Sequence, residues 1–131
     1  MKILIVEDER IAADHLEMIL KAMDSEIEVL AKLDSIKATV NWLKDAQADL
    51  IFMDIQLADG LSFSIFEQCE VSCPVIFTTA YDNYALQAFK VNSIDYLLKP
   101  IDQSELEKSW VKFQELHGVQ IENKELLDLT R

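Results

Sequence analysis

The stretch Leu50-Ile51-Phe52-Met53-Asp54 is four consecutive apolar residues closed by a carboxylate. A short apolar run without alternation suits a strand buried on both faces of a sheet. The carboxylate at its end sits where such a strand meets solvent. Two further runs end in the same manner. Ile3-Leu4-Ile5-Val6 is followed by Glu7-Asp8-Glu9, and Tyr96-Leu97-Leu98 by Lys99-Pro100. In an open parallel sheet, ligands bind beyond the carboxyl ends of the strands. Three strands therefore deliver acids and one lysine to a single edge, a set suited to a divalent cation and a phosphoryl group.

Between these runs the pattern is strand then helix, repeated. Ile3–Val6 is the first strand, and a helix from about Glu9 to Met23 follows, with Ile11 or Ala12, Leu16, Ile19, Leu20 and Met23 at helical spacing. Ile27–Leu33 is a more polar second strand, and Asp34 or Ser35 caps a helix carrying Ile36, Val40 and Leu43. Asp49–Asp54 is the third strand. Ala58-Asp59-Gly60 signals a turn, and a helix with Leu61, Phe63, Ile65 and Phe66 follows. Pro74–Thr79 is the fourth strand, with proline tolerated at its first position. Asp82 or Asn83 caps a fourth helix bearing Ala85, Leu86 and Phe89. Ile94–Leu98 is the fifth strand, and Asp102–Leu116 the last helix, with Leu106, Trp110, Phe113 and Leu116 on one face and Gly118 as its stop.

Alternating strands and helices imply a parallel sheet with helices on both faces and right-handed crossovers. The apolar first, third and fourth strands belong at the centre and the polar second strand at an edge. The expected fold is a flavodoxin-like (βα)5 doubly wound α/β domain with strand order 2-1-3-4-5. Beyond Gly118 the apolar pattern decays. The expected organisation is one domain over 1–118 and an extension or linker over 119–131, with the abrupt end suggesting a fragment of a longer protein.

Composition narrows the function classes. The 131 residues carry a formal charge of −12 and are 50% hydrophobic, enough for one sizeable core. Such an acidic chain repels nucleic acid and anionic membranes. No apolar stretch approaches the ~20 residues of a membrane span, and no cleavable signal opens the chain, so the expected compartment is the cytosol. Cys69 and Cys73 are the two cysteines, read as reduced, buried or half-buried thiols.

An acidic pair after strand 1, an aspartate ending strand 3, a hydroxyl ending strand 4 and Lys-Pro after strand 5 together resemble the receiver (CheY-like) domain of two-component response regulators. The resemblance covers about Lys2 to His117. The stretches Phe77-Thr-Thr-Ala-Tyr-Asp-Asn-Tyr-Ala-Leu-Gln-Ala-Phe89 and Asp95-Tyr-Leu-Leu-Lys-Pro-Ile101 look like receivers that precede a LytTR-type (LytR/AlgR) DNA-binding domain, which is absent from this sequence.

The resemblance implies specific roles. Asp54 would be the phosphoacceptor for a histidine kinase, forming an acyl phosphate. Asp8, Asp54 and the backbone carbonyl of Gln56 would bind Mg2+, with Glu7 acting through a coordinated water. Lys99, Thr79 and the backbone N–H of Ala80 would meet the phosphoryl oxygens. A cis Lys99–Pro100 bond would turn Lys99 into the site. Thr79 drawn inward, with Tyr96 following, would switch the face of helix 4, strand 5 and helix 5 and favour a homodimer. DNA would be contacted only through the absent domain. Gln56 and Tyr81 flank the site in the family pattern. Glu7 stands where aspartate is commonest, a tolerated departure.

Plainer readings apply elsewhere. Glu9 reads as an acid favoured by the helix dipole, Asp59 as a turn residue and His15 as a surface residue. Trp42 and Trp110 read as core or half-buried aromatics. Thr78, facing away from Thr79, reads as structural. Rival functions are a receiver-like interaction module that works without phosphorylation and an Mg2+-dependent aspartyl phosphatase. The phosphatase needs a second aspartate two residues after the nucleophile, where this chain has Gln56.

Overall fold

The computed structural model describes residues 1–91 and 93–129, with side chains described up to 118 except at Leu86. Five parallel strands form the sheet: β1 (Lys2–Val6), β2 (Glu28–Leu33), β3 (Leu50–Asp54), β4 (Val75–Thr79) and β5 (Ser93–Leu98). Their order is β2-β1-β3-β4-β5, the order expected from the sequence. The polar β2 lies at an edge. Every residue of β3 and β4 is buried, as continuous apolar runs demand.

Strand alternation divides the interior into two cores. Ile3, Ile5, Leu50, Phe52 and Ile76 point to one face. There they pack with helices α1 (Arg10–Met23) and α5 (Gln103–Leu129) through Leu16, Leu20, Leu106, Trp110 and Phe113. Leu4, Val6, Ile51, Met53, Val75 and Phe77 point to the other. On that face they meet α2 (Ile36–Asp45), α3 (Ile65–Gln68) and α4 (Ala85–Phe89), through residues that include Ile36, Val40, Ile65 and Ala88. Trp42 is partly buried on this second face, and His15 is exposed.

Several helices depart from the sequence reading. In α1 the buried positions are Ala13, Leu16 and Leu20. Ile11 lies two positions before Ala13, about 200° round the helix, and is 86% exposed. The third helix is a 3-10 turn over Ser62–Ser64 followed by one α-turn, and Leu61 stays outside it, exposed. Helix α4 spans five residues, Ala85–Phe89, and neither Asp82 nor Asn83 caps it; its N-cap is Tyr84, without a side-chain bond. Ala88 turns inward, so Phe89, the next residue round, faces solvent at 86% exposure. Leu86, expected in this helix's apolar stripe, has a side chain outside the described residues.

Gly118 does not stop the last helix, which continues to Leu129. Glycine inside a helix costs about 1 kcal/mol relative to alanine. No proline follows it, and Glu122, Lys124, Glu125, Leu126 and Leu127 are strong helix formers. Leu116, expected on the core face, is exposed a turn beyond the buried Phe113. Thr130 and Arg131 lie outside the described residues.

The start of α2 shows a long-range contact that local reading misses. Ser35 caps it as expected, its hydroxyl accepting from Ala38 N–H at 3.0 Å. Asp59 adds a second cap from 23 residues away, accepting from Ile36 N–H at 2.9 Å and Lys37 N–H at 3.2 Å. The adjacent Gly60 has φ +136°, and a Cβ there would lie 3.3 Å from Ile36 Cδ1. Only glycine holds this turn without strain. Asp59 is therefore a helix cap rather than only a turn residue. Asp59→Ala is expected to destabilise the domain by about 1 kcal/mol, read by urea denaturation; unchanged stability would contradict this role.

Candidate functional site

The register of the sheet aligns the carboxyl ends of the central strands. Val6 pairs with Met53 and Asp54 with Thr78. The Lys99 N–H donates to the Thr79 carbonyl at 2.7 Å, so β5 delivers Lys99 to the same edge. The Lys99–Pro100 bond is cis. Asp8, Asp54, Gln56, Thr79, Ala80 and Lys99 all line one cavity of about 270 Å3 at this edge. The structure thus brings these six expected site residues together.

Lys99 is the electrostatic centre of the cluster. Its ammonium donates to Asp54 Oδ2 at 2.9 Å and to Glu7 Oε1. The side chains of Glu7 and Asp54 are only 6% and 8% exposed. Two carboxylates so far removed from water need compensation. Lys99 supplies part of it, the backbone the rest. Asp54 Oδ1 accepts from Gln56 N–H at 3.2 Å, and Glu7 Oε2 from Glu9 N–H at 3.3 Å. Asp8 is exposed at the rim. Glu7, Asp8 and Asp54 each offer a carboxylate oxygen, and these oxygens lie within 4.8 Å of one another.

Burial pushes the Glu7 carboxyl up to about 7, with the nearby Asp54 charge adding to the rise and Lys99 opposing it. Burial works against the Lys99 ammonium, but its bonds to Glu7 and Asp54 outweigh that and hold its pKa above the ordinary lysine value.

Thr79 is fully buried, its hydroxyl accepting from Tyr81 N–H at 3.2 Å. Thr78 points to the opposite side of β4, toward α1. Tyr96 is half-buried. Its hydroxyl donates to the Tyr81 carbonyl and accepts from Tyr84 N–H at 3.4 Å. Gln56 Nε2 donates to the Tyr84 hydroxyl at 3.1 Å. Thr79 and Tyr96 therefore grip the same segment, Tyr81 to Tyr84. Sequence reasoning noted Tyr81 and Gln56 singly but missed these links, which local spacing does not encode. Cys69 and Cys73 are free, partly buried thiols remote from the site.

Five parallel strands in this order, with helices on both faces, define the flavodoxin-like class of α/β domains. Within that class the chain belongs to the response regulator receiver domain family, whose pattern matches residues 3–110. The sensory transduction protein LytT of Bacillus cereus is 35% identical over 127 residues, covering 95% of this chain and 51% of that protein. The transcriptional regulatory protein BtsR of Escherichia coli is 33% identical over 117 residues, covering 88% of this chain and 48% of that protein. The chain thus spans about half the length of these curated relatives. Among solved structures, the response regulatory domain of protein mrkE from Klebsiella pneumoniae superposes with a TM-score of 0.74 at 30% identity, covering 91% of this chain and 97% of that one. The chain is accordingly a receiver domain of the two-component type, a signalling domain of the kind that takes phosphoryl groups from histidine kinases.

Glu7 makes stability pH-dependent in metal-free solution. Its folded-state pKa of about 7 lies above the ordinary 4.5. The folded state therefore holds a proton that the unfolded state releases, so this contribution is full below 4.5 and lost as pH rises through about 7. Glu7→Gln is expected to flatten the fall in stability across that window, measured by urea denaturation in EDTA. Parallel pH profiles for the two proteins would contradict it.

Proposed function

We propose that Asp54 is the phosphoacceptor of this receiver and that Lys99 and Thr79 serve the phosphoryl group. The observation that carries this reading is the buried Asp54 carboxylate held by Lys99 beside two further acids. A carboxylate oxygen of Asp54 attacks the phosphorus of a phosphohistidine. The new P–O bond forms as the P–N bond breaks, and the imidazole nitrogen keeps the electron pair. Lys99 meets one phosphoryl oxygen, the Ala80 N–H a second, and the Thr79 hydroxyl a third.

The donor set suits Mg2+: three hard carboxylate oxygens lie within 4.8 Å of one another. Asp8, Asp54 and the Gln56 backbone carbonyl are the direct ligands in this reading, with Glu7 acting through water. When bound, Mg2+ neutralises charge on the transferring phosphoryl group. The same site catalyses its own dephosphorylation by water; the domain acts on no other substrate.

Switching follows from contacts that differ between the two states. Without a phosphoryl group the Thr79 hydroxyl holds Tyr81 N–H. Turning it to donate to a phosphoryl oxygen releases Tyr81, and with it the segment that tethers Tyr96. Tyr96 then moves inward and the α4-β5-α5 face changes shape. Phe89, Leu98 and Val111 expose apolar surface on these three elements at 86%, 49% and 51%, which supports homodimerisation there. Residues 1–118 form the receiver unit, and 119–131 lead toward a LytTR-type domain outside these 131 residues, which alone contacts DNA. The location in this reading is the cytoplasm; separately, no described helix is long and apolar enough to cross a membrane.

Incubation with acetyl phosphate and Mg2+ is expected to add one phosphoryl group by intact mass to the native chain and none to Asp54→Asn. No addition to the native chain would favour an interaction module that works without phosphorylation. Thr79→Ala is expected to accept the phosphoryl group yet lose phosphorylation-dependent dimerisation in analytical ultracentrifugation; normal dimerisation would sink the coupling.

A further inference from the structure

A second cavity, of about 190 Å3, lies on the other side of Lys99, between α1 and the sheet. Ile5 and Phe52, both fully buried strand residues, form its floor together with Thr78. Ala12, Leu16 and Ile19 of α1 form one wall, and Ile101 closes the far side. The charged or titratable groups at this cavity are Glu7, His15 and Lys99. Lys99 also lines the cavity that holds Asp54, so one side chain is the partition between an apolar chamber and the phosphoryl site.

We infer that this chamber binds a small lipophilic carboxylate, a single ring or compact branched body bearing one acid group, which competes with the Asp54 site for Lys99. Size sets the body: an apolar cavity of about 150 Å3 takes up benzene, and this one is somewhat larger. The acid group is set by donors. An ammonium carries three, and among the described residues Glu7 and Asp54 take one each. Lys99, with one donor left over from those two bonds, and the exposed His15 both line this cavity, and the Glu7 carboxylate beside them is already held by Lys99. A carboxylate there draws on the same cation that a phosphoryl group at Asp54 requires. Ligand and phosphoryl group therefore weaken each other by the same factor. Binding stands independently of the phosphoacceptor reading, whereas this coupling rests on it.

The test is an NMR titration of the whole chain with benzoate, beside benzamide as the uncharged match. Expected are saturable shifts at Ile5, Leu16, Ile19 and Ile101 with a Kd of about 1 mM or below, and binding of benzamide weaker by about tenfold, since charge-assisted bonds are the stronger ones. Ala12→Phe, which fills the chamber from α1, is expected to abolish the shifts; Ile19→Trp makes the same comparison if the first variant does not fold. Benzoate is also expected to slow acyl phosphate formation from acetyl phosphate in the native chain and not in the filled variant. Absence of saturable shifts, equal binding of benzamide, or undiminished binding to a folded filled variant would overturn the inference, as would a rate of phosphorylation indifferent to bound benzoate. Failure of acetyl phosphate to modify the native chain at all would count against the phosphoacceptor reading, with the titration deciding the binding site alone.

Discussion

One ammonium group, that of Lys99, stands between two nearly buried carboxylates, and the arrangement of the whole carboxyl edge depends on it. Glu7 comes from the end of β1 and Asp54 from the end of β3, adjacent strands whose register leaves their terminal residues side by side. Desolvating two like charges at this distance is unfavourable unless a cation accompanies them. Lys99 arrives from β5, across the end of β4, and its own backbone N–H is fixed to the Thr79 carbonyl. The ion pairs thus tie together strands that share no ladder. Even with Lys99 present, burial holds the Glu7 pKa above its ordinary value.

In the proposed phosphoacceptor role, the same pairing would leave the site poised rather than inert. A resident cation that is held by two carboxylates can be redirected by a new anion arriving at Asp54. Around it, hydrogen bonds couple the edge to the α4-β5-α5 face in short steps. Gln56 N–H holds Asp54 while its side chain holds Tyr84, and Tyr84 N–H meets the Tyr96 hydroxyl. Thr79 reaches the same segment through Tyr81. These links form a contiguous network that has a defined arrangement in the unmodified domain, the condition for a shift between two states to reach the surface.

The fold was legible because its signals are local. The apolar runs within Ile3–Val6, Asp49–Asp54 and Pro74–Thr79 read as buried central strands, and the more polar composition of Ile27–Leu33 marks an edge. The candidate site was legible because each piece follows directly on a strand, so chain order and topology together put Glu7, Asp8, Asp54, Thr79 and Lys99 at one edge. What stayed hidden was tertiary. Asp59 caps a helix 23 residues earlier, and nothing in Ala58-Asp59-Gly60 announces it. The tyrosine hydroxyls find partners only once β5 is placed. Helix lengths were misjudged where one residue was asked to decide: Gly118 looked like a stop, yet the helix formers after it carry α5 to Leu129. Ile11 and Phe89, apolar but outward, show that composition alone does not fix which face of a helix is buried.

Unfolding of Lys99→Met near neutral pH, in EDTA and then in Mg2+, tests the role of this ammonium most directly. In EDTA the variant is expected to lose about 2 kcal/mol, less than a fully buried pair would cost because the Lys99 side chain is 21% exposed. Added Mg2+ is expected to stabilise the variant more than the native domain, since among the described residues Lys99 is the cation paired with these carboxylates. A variant as stable as the native domain in EDTA, with no greater gain from Mg2+, would contradict the view that Lys99 holds this edge together.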